Sequence, residues 1–258
     1  MGVCVRTMWR YVGASVKGIS HQRSNTPCQD YSAVIELSSG SLLLLVCSDG
    51  AGSAIRSELG SEIACRTLVD EVTRFANLSG GIENVTRETA TEWVQAIRVE
   101  LDIQAHAAGL TARDLACTII AALIGPDSAA FIQVGDGAAV TVSKDDTYKV
   151  VFWPEQGEYA NTTIFVAAAD ALERLRVDIC PEAVKDVALF TDGLQHLALR
   201  YESRTAHTPF FAPMFARLRS EEQWRSLVDP LKSFLGSEAV SKRTDDDCTL
   251  VLASRCDS

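Results

Sequence analysis

Short apolar runs recur along the chain, and turn residues bound each of them. Most runs are four to eight residues long and rich in β-branched side chains, a pattern typical of buried β-strands. Some neighbours are separated only by 38–40 or 125–128, and connections this short allow antiparallel pairing but not a parallel crossover. Mainly antiparallel sheets are therefore predicted, with strands at 32–37, 41–47, 117–124, 129–134, 138–142, 148–153, 162–168, 186–190 and 248–253.

Longer stretches with helical spacing lie between these runs. Apolar residues recur every three or four positions in 53–75, 93–101 and 224–234, which predicts three amphipathic helices that need sheet surface to cover. Two antiparallel sheets packed face to face with helices outside satisfy both patterns. The segment 200–218 is the least regular, and its aromatic residues are interpreted as docking a loop on the core. No repeat or linker is visible, so one domain over 1–258 is expected.

Composition excludes several classes of function. The net charge of −10 and the pI near 4.9 disfavour nucleic acid and acidic membrane surfaces as partners. Eight cysteines without a CxxC pair indicate reduced thiols. No apolar stretch approaches the roughly 20 residues needed to span a bilayer. A cytoplasmic protein with no membrane partner is expected.

Acidic residues follow or precede several of the predicted strands. Asp49 follows the apolar part of "LLLLVCSDGAGSA", Asp192 lies in "VALFTDGL", Asp246 in "RTDDDCTL" and Asp30 in "SNTPCQDYSAV". Carboxylates gathered from neighbouring strand ends repel one another unless a cation binds, and an all-oxygen set favours Mg²⁺ or Mn²⁺ over zinc. For Asp136 in "VGDG", a solvated turn residue and a functional acid remain equal alternatives.

The order of these motifs resembles that of a known family. The series "GISHQRSNTPCQD", "SDGAGS", "DLACT", "VGDG", "TDGL" and "DDCT" spans almost the whole chain. It is similar to the metal-dependent Ser/Thr phosphatases of the protein phosphatase 2C family, in particular to the compact bacterial branch. The resemblance implies an α+β fold, a four-layer α-β-β-α sandwich of two mainly antiparallel sheets flanked by helices.

The resemblance also implies which residues form the site. Asp49 would bridge two metal ions, Gly50 would offer its carbonyl, and Asp192 and Asp246 would be further ligands. Asp30 would hold a metal ion through water. The candidate for an additional metal site is Asp114, four residues before Thr118.

The implied activity is hydrolysis of phosphoserine and phosphothreonine in proteins by a water shared between two metal ions. The cofactor would be Mn²⁺ or Mg²⁺, two ions per site with room for a third, and the protein would be a monomer. The loop at 155–180 falls where the family has a flap that selects substrates.

Two positions depart from the family pattern. Ala51 replaces a histidine that would protonate the leaving oxygen, and His21 stands where the family commonly has a phosphate-binding arginine. His21 is interpreted as the phosphate contact or the acid, with Arg23 as the alternative clamp. A competing hypothesis is a catalytically weak relative that binds phosphoproteins as a regulatory module. A third, a two-metal nuclease, is disfavoured by the charge of −10.

Overall fold

The computed structural model describes residues 8–79, 81–154 and 163–256. Its strands are β1 (Met8–Val16), β2 (Tyr31–Leu37), β3 (Leu42–Ser48), β4 (Ile119–Ile124), β5 (Ala129–Val134), β6 (Ala138–Val142), β7 (Tyr148–Val150), β8 (Arg176–Cys180), β9 (Asp186–Phe190), β10 (Leu199–Arg200), β11 (Thr205–Ala206) and β12 (Cys248–Cys256). Its α-helices are α1 (Ile19–Ser24), α2 (Ser57–Ser79), α3 (Arg87–Ala107), α4 (Gln195–Ala198), α5 (Thr208–Ser220), α6 (Val228–Leu235) and α7 (Glu238–Ser241).

The ten longer strands form two sheets of five. One has the order β1-β12-β9-β6-β7 and the other β2-β3-β4-β5-β8. Every neighbouring pair is antiparallel. Strands β10 and β11 form a separate small hairpin.

Strand β3 shows why its sequence is apolar at every position. Leu42, Leu44 and Val46 face the layer that contains α2 and α3, whereas Leu43 and Leu45 face the other sheet. The period of two along a strand sends alternate side chains to opposite faces, so a strand covered on both faces is continuously hydrophobic.

Three layers of hydrophobic packing hold the fold together. A central core joins the two sheets, α2 and α3 cover the outside of one sheet, and α5 and α6 cover the outside of the other. The predicted four-layer α-β-β-α sandwich is confirmed. None of the helices within residues 8–79, 81–154 and 163–256 has the length and hydrophobicity of a membrane-spanning segment.

Some local predictions were wrong. The segment 200–218 was interpreted as a loop, but most of it lies in the helix α5 (Thr208–Ser220). Pro209 lies where helix starts tolerate proline, and Phe211, Phe215 and Leu218 are buried at helical spacing. The strand expected at 162–168 is absent from 163–168, where Val166 instead donates its N–H to the carbonyl of Cys117 at 2.8 Å. Residue 162 lies outside the described residues.

Strands β1 and β8 were not predicted. Both carry polar or glycine residues among their apolar ones and so lack the continuous apolar pattern of the other strands. Of the loop at 155–180, residues 155–162 lie outside the described residues, and the remainder consists of turns followed by β8. Its role as a flap remains a prediction.

Candidate metal centre

Three carboxylates meet where strands of both sheets end. Asp49 follows β3, Asp136 lies in the turn between β5 and β6, and Asp192 follows β9. One carboxylate oxygen from each lies within 4.8 Å of the other two. The strand-end acids therefore converge as the sequence predicted for Asp49 and Asp192, and Asp136 joins them.

Hydrogen bonds to the main chain fix the direction of Asp49. Its N–H donates to Thr118 Oγ1 at 3.0 Å, and the Thr118 N–H donates to its carbonyl at 2.8 Å. The N–H of Gly50 donates to the carbonyl of Gln29 at 3.1 Å. Thr118 of the "DLACT" motif thus contributes to the site by holding the backbone of Asp49.

Asp136 has one oxygen that lacks a partner. Its Oδ2 accepts a hydrogen bond from Thr163 Oγ1 at 2.5 Å, while its Oδ1 is buried without a hydrogen bond among the described residues. Gln195 Nε2 donates to the Asp136 carbonyl at 2.6 Å and so supports the turn. A buried carboxylate oxygen without a donor is costly unless something absent from the polypeptide binds it.

The electrostatics of the cluster are dominated by acids. Burial raises the pKa of Asp49 well above its usual value, and the charges of Asp30, Asp192, Asp136 and Asp246 raise it further. Burial, followed by the charges of Asp136 and Asp246, raises the pKa of Asp192 to about 7. Ionised together, these carboxylates need a cation.

Asp30 and Asp246 lie beside the three acids. Asp30 is buried, accepts a hydrogen bond from Thr191 Oγ1 at 2.7 Å, and has its pKa raised to about 7, mainly by burial. Asp246 acts electrostatically on Asp49 and Asp192, and burial raises its own pKa. It is not part of the group of three converging oxygens.

Asp247 anchors the segment that carries α1. Its Oδ1 accepts from the N–H of Gly18 at 2.7 Å and its Oδ2 from the N–H of Gln29 at 2.6 Å. His21 Nδ1 lies 3.0 Å from the same Oδ1. Sequence reasoning missed this buried role, because three successive aspartates give no sign of which one turns inward.

Two glycines of the motifs are required by close backbone packing. A Cβ on Gly18 would lie 2.3 Å from the carbonyl oxygen of Asp246, and one on Gly193 would lie 2.1 Å from that of Asp247. Contacts this short exclude any side chain. Both glycines therefore allow their loops to pack closely against the turn that contains Asp246.

The donor set fits a hard divalent cation. All converging atoms are carboxylate oxygens, and the charges that raise the pKa of Asp49 belong to other aspartates. Asp136 also has a buried oxygen that accepts no hydrogen bond from the described residues. Oxygen-only ligands of this kind suit Mg²⁺ or Mn²⁺.

Comparison with known proteins identifies the family. The family model for protein phosphatase 2C matches residues 17–236, which is most of the chain. The chain belongs to the protein phosphatase 2C family. The resemblance in the order of the motifs is thereby confirmed, and the family's dependence on metal agrees with the acidic cluster.

The chain is similar to named bacterial phosphatases. It is 38% identical to Serine/threonine-protein phosphatase 3 of Escherichia coli strain K12 over 252 residues, which cover 95% of this chain and 98% of the relative. A search of solved structures finds Stp1 from Staphylococcus aureus, with a TM-score of 0.63, 16% identity and 98% of both chains covered. The catalytic domain of PstP, solved with two manganese ions, has a TM-score of 0.62 and 15% identity, with 97% of this chain and 100% of that one covered.

The remaining predicted site residues of this phosphatase 2C lie in different surroundings. Asp114 is part of a capping box, in which its Oδ2 accepts from the Thr111 N–H at 2.9 Å and from Thr111 Oγ1 at 2.8 Å. Arg23 is exposed on α1 and forms no ion pair among the described residues. Ala51 is buried next to the cluster and offers no proton donor from its side chain.

Proposed function

We propose that this protein is a Mn²⁺- or Mg²⁺-dependent phosphatase that hydrolyses phosphoserine and phosphothreonine in proteins. The observation that carries the proposal is the convergence of Asp49, Asp136 and Asp192, whose carboxylate oxygens lie within 4.8 Å of one another. The name of the Escherichia coli relative supports the same class of substrate.

Each acid has a role in this proposal. Asp49, Asp136 and Asp192 hold two ions together with Asp246 and the carbonyl of Gly50, and Asp30 positions a water molecule. When bound, such ions lower the pKa of a water molecule and neutralise phosphoryl oxygens. The two manganese ions in PstP support this count. For a further ion, Asp114 remains the candidate, although its carboxylate is engaged by Thr111.

His21 is the proposed proton donor to the leaving oxygen in place of the histidine that Ala51 replaces. Its Nδ1 lies 3.0 Å from Asp247 Oδ1, which leaves Nε2 as the nitrogen that can face a substrate. Its side chain is 16% exposed, and it lies close enough to Asp246 to lower the pKa of that acid. Nδ1 forms no hydrogen bond among the described residues, so the contact with Asp247 is an ion-pair distance that keeps the imidazole beside the acidic cluster. A histidine next to a carboxylate is a common acid or base. Arg23, exposed on the same helix, is the alternative phosphate contact.

The regulatory module remains the second candidate because Ala51 lacks the acid found at that position in the family. It predicts that metal binds but that phosphate esters stay intact. The other expectations are a single catalytic domain over 1–258, a monomer, a cytoplasmic location and no nucleic acid or membrane as partner.

The test compares hydrolysis of para-nitrophenyl phosphate and of a phosphothreonine peptide with Mn²⁺, with Mg²⁺ and with excess chelator. Asp49→Asn and Asp192→Asn should lower kcat by roughly 100-fold or more, because each removes a metal ligand. Asp127→Asn, in the exposed turn between β4 and β5, is the matched control. Wild-type protein that binds Mn²⁺ but leaves both substrates intact would support the regulatory module instead.

A further inference from the structure

A basic cleft lies at the end of the sandwich opposite the acidic cluster. It has a volume of about 640 Å³ and is lined by Arg10, Lys144, Lys185, Arg219, Arg255 and Cys256. No acidic side chain lines it among the described residues. In a protein with a net charge of −10, five cationic side chains around one cleft are unexpected as a solvated surface.

The strands separate the cleft from the metal centre. Strand β12 begins beside Asp246 and ends at the cleft with Cys256, and β9 begins beside Lys185 and ends before Asp192. The nine residues of β12 span roughly 30 Å at about 3.3 Å per residue. The cleft is therefore a separate site and not an extension of the acidic cluster.

Hydrogen bonds and an ion pair hold two of its arginines in place. Arg10 Nη1 donates to the carbonyls of Arg219 and Glu221, at 2.5 and 2.9 Å. Arg219 Nη1 is paired with Asp186, whose side chain is only 2% exposed. Fixing these guanidinium groups in the free protein reduces the entropy that a ligand must overcome.

Two lysines, Lys144 and Lys185, add positive charge to the cleft. Lys185 is paired with Asp146, an exposed turn residue, and Lys144 has no carboxylate partner among the described residues. Guanidinium and ammonium groups around a small volume match the oxygens of phosphate groups. The volume is also within the usual range of small-ligand sites.

We infer that this cleft binds a small anion with several phosphate groups, such as a nucleoside diphosphate or triphosphate or an inorganic polyphosphate. The inference goes beyond the proposed phosphatase activity and does not depend on it. The cleft would be an anion site about one strand length from the metal centre.

The test is calorimetric titration of the metal-free protein, in chelator-free buffer, with tripolyphosphate. Without metal the acidic cluster repels anions and cannot hydrolyse them, so binding reports on the cleft. One equivalent should bind, with an affinity that falls as salt concentration rises. Comparing pyrophosphate with ADP, and tripolyphosphate with ATP, shows whether the base adds to the phosphate contacts.

Lysine variants locate the binding. Lys144→Gln and Lys185→Gln should each weaken tripolyphosphate binding roughly tenfold, the effect of losing one charge-assisted hydrogen bond. The control is Lys232→Gln on α6, which removes the same charge from an exposed position and should change the affinity less than about twofold. Arg219→Lys keeps a cationic partner for buried Asp186 but loses the planar guanidinium group, which can bind two phosphate oxygens at once. It should therefore also weaken tripolyphosphate binding.

Two results would overturn the inference. One is the absence of tripolyphosphate binding at millimolar concentration to wild-type protein that is folded by circular dichroism. The other is equal weakening by Lys232→Gln and Lys144→Gln, which would show attraction by overall charge and not by the cleft.

Discussion

Asp136 is the residue whose importance the structure changes most. In the sequence it lies between two glycines, where a solvated turn aspartate is as good an interpretation as a functional one. In the fold its Oδ1 is buried without a hydrogen-bond donor among the described residues, and its carboxylate lies beside those of Asp49 and Asp192. A local pattern cannot show that the β5–β6 turn meets the ends of β3 and β9.

The variant Asp136→Asn tests this residue. It should lower the affinity for Mn²⁺ at least tenfold and lower phosphatase activity with it, because an amide is a weaker ligand than a carboxylate. Titration of Mn²⁺ by calorimetry measures the effect directly, with Asp127→Asn as the control for an aspartate in a turn. Unchanged Mn²⁺ affinity would remove Asp136 from the proposed site.

His21 makes a different prediction, because a proton donor matters only when the leaving group needs a proton. His21→Gln should lower kcat on a phosphothreonine peptide roughly 100-fold, the usual contribution of a general acid. With para-nitrophenyl phosphate, whose leaving group needs no proton, kcat should fall less than about threefold. Equal losses on both substrates would instead indicate a phosphate contact, the other role considered for His21.

At the scale of elements, the turn at 245–247 joins the metal centre to α1. Asp247 binds the N–H groups of Gly18 and Gln29, which lie on either side of α1, and Gly18 packs on the backbone of Asp246. The segment that carries His21 is thus positioned by the turn that carries Asp246. One turn controls the placement of both residues.

Replacing Asp247 should therefore cost stability. In Asp247→Asn one carboxylate oxygen becomes an amide group that cannot accept from a main-chain N–H, so the free energy of unfolding should fall by roughly 2–3 kcal/mol. Asp245→Asn, at the exposed neighbour, should change it by less than about 0.5 kcal/mol. Urea unfolding in metal-free buffer measures the free energy of unfolding of both variants. Similar losses in the two variants would contradict the anchoring role of Asp247.

The elements that the sequence predicted are those whose local pattern and tertiary setting agree. Strands β3, β4, β5, β6, β9 and β12 are buried on both faces, so their composition alone reveals them. Helix α5 was missed because Pro209 and Pro213 argue against a helix in the sequence. Phe211 and Phe215 favour the helix through their packing in the core, which the sequence alone does not show. The inward turn of Asp247 and the meeting of Asp136 with Asp49 depend on contacts distant in sequence, which no local pattern contains.

At the scale of the whole molecule, the acids at the metal centre make stability depend on pH. The pKa of Asp30 and that of Asp192 are raised from 3.8 to about 7 in the folded protein, mainly by burial. A group whose pKa is higher when folded stabilises the protein below its unfolded pKa, and that contribution is lost as pH rises through the folded value.

Metal-free protein should therefore lose stability between about pH 4 and pH 7, by a total on the order of a few kcal/mol. Mn²⁺ binds the ionised carboxylates, so the rise in Tm that it produces should be larger at pH 8 than at pH 5. Thermal unfolding at both values, with and without Mn²⁺, measures both effects. A metal-induced shift that is independent of pH would argue against binding by these acids.

The position of manganese in the protein would test the proposed metal centre directly. Crystals grown with Mn²⁺ would be measured at the manganese absorption edge, and the anomalous difference map calculated. A peak is expected in contact with the carboxylates of Asp49, Asp136 and Asp192, and it should be lost in Asp49→Asn. Well-ordered side chains at all three positions with no manganese peak between them would contradict the proposed metal centre.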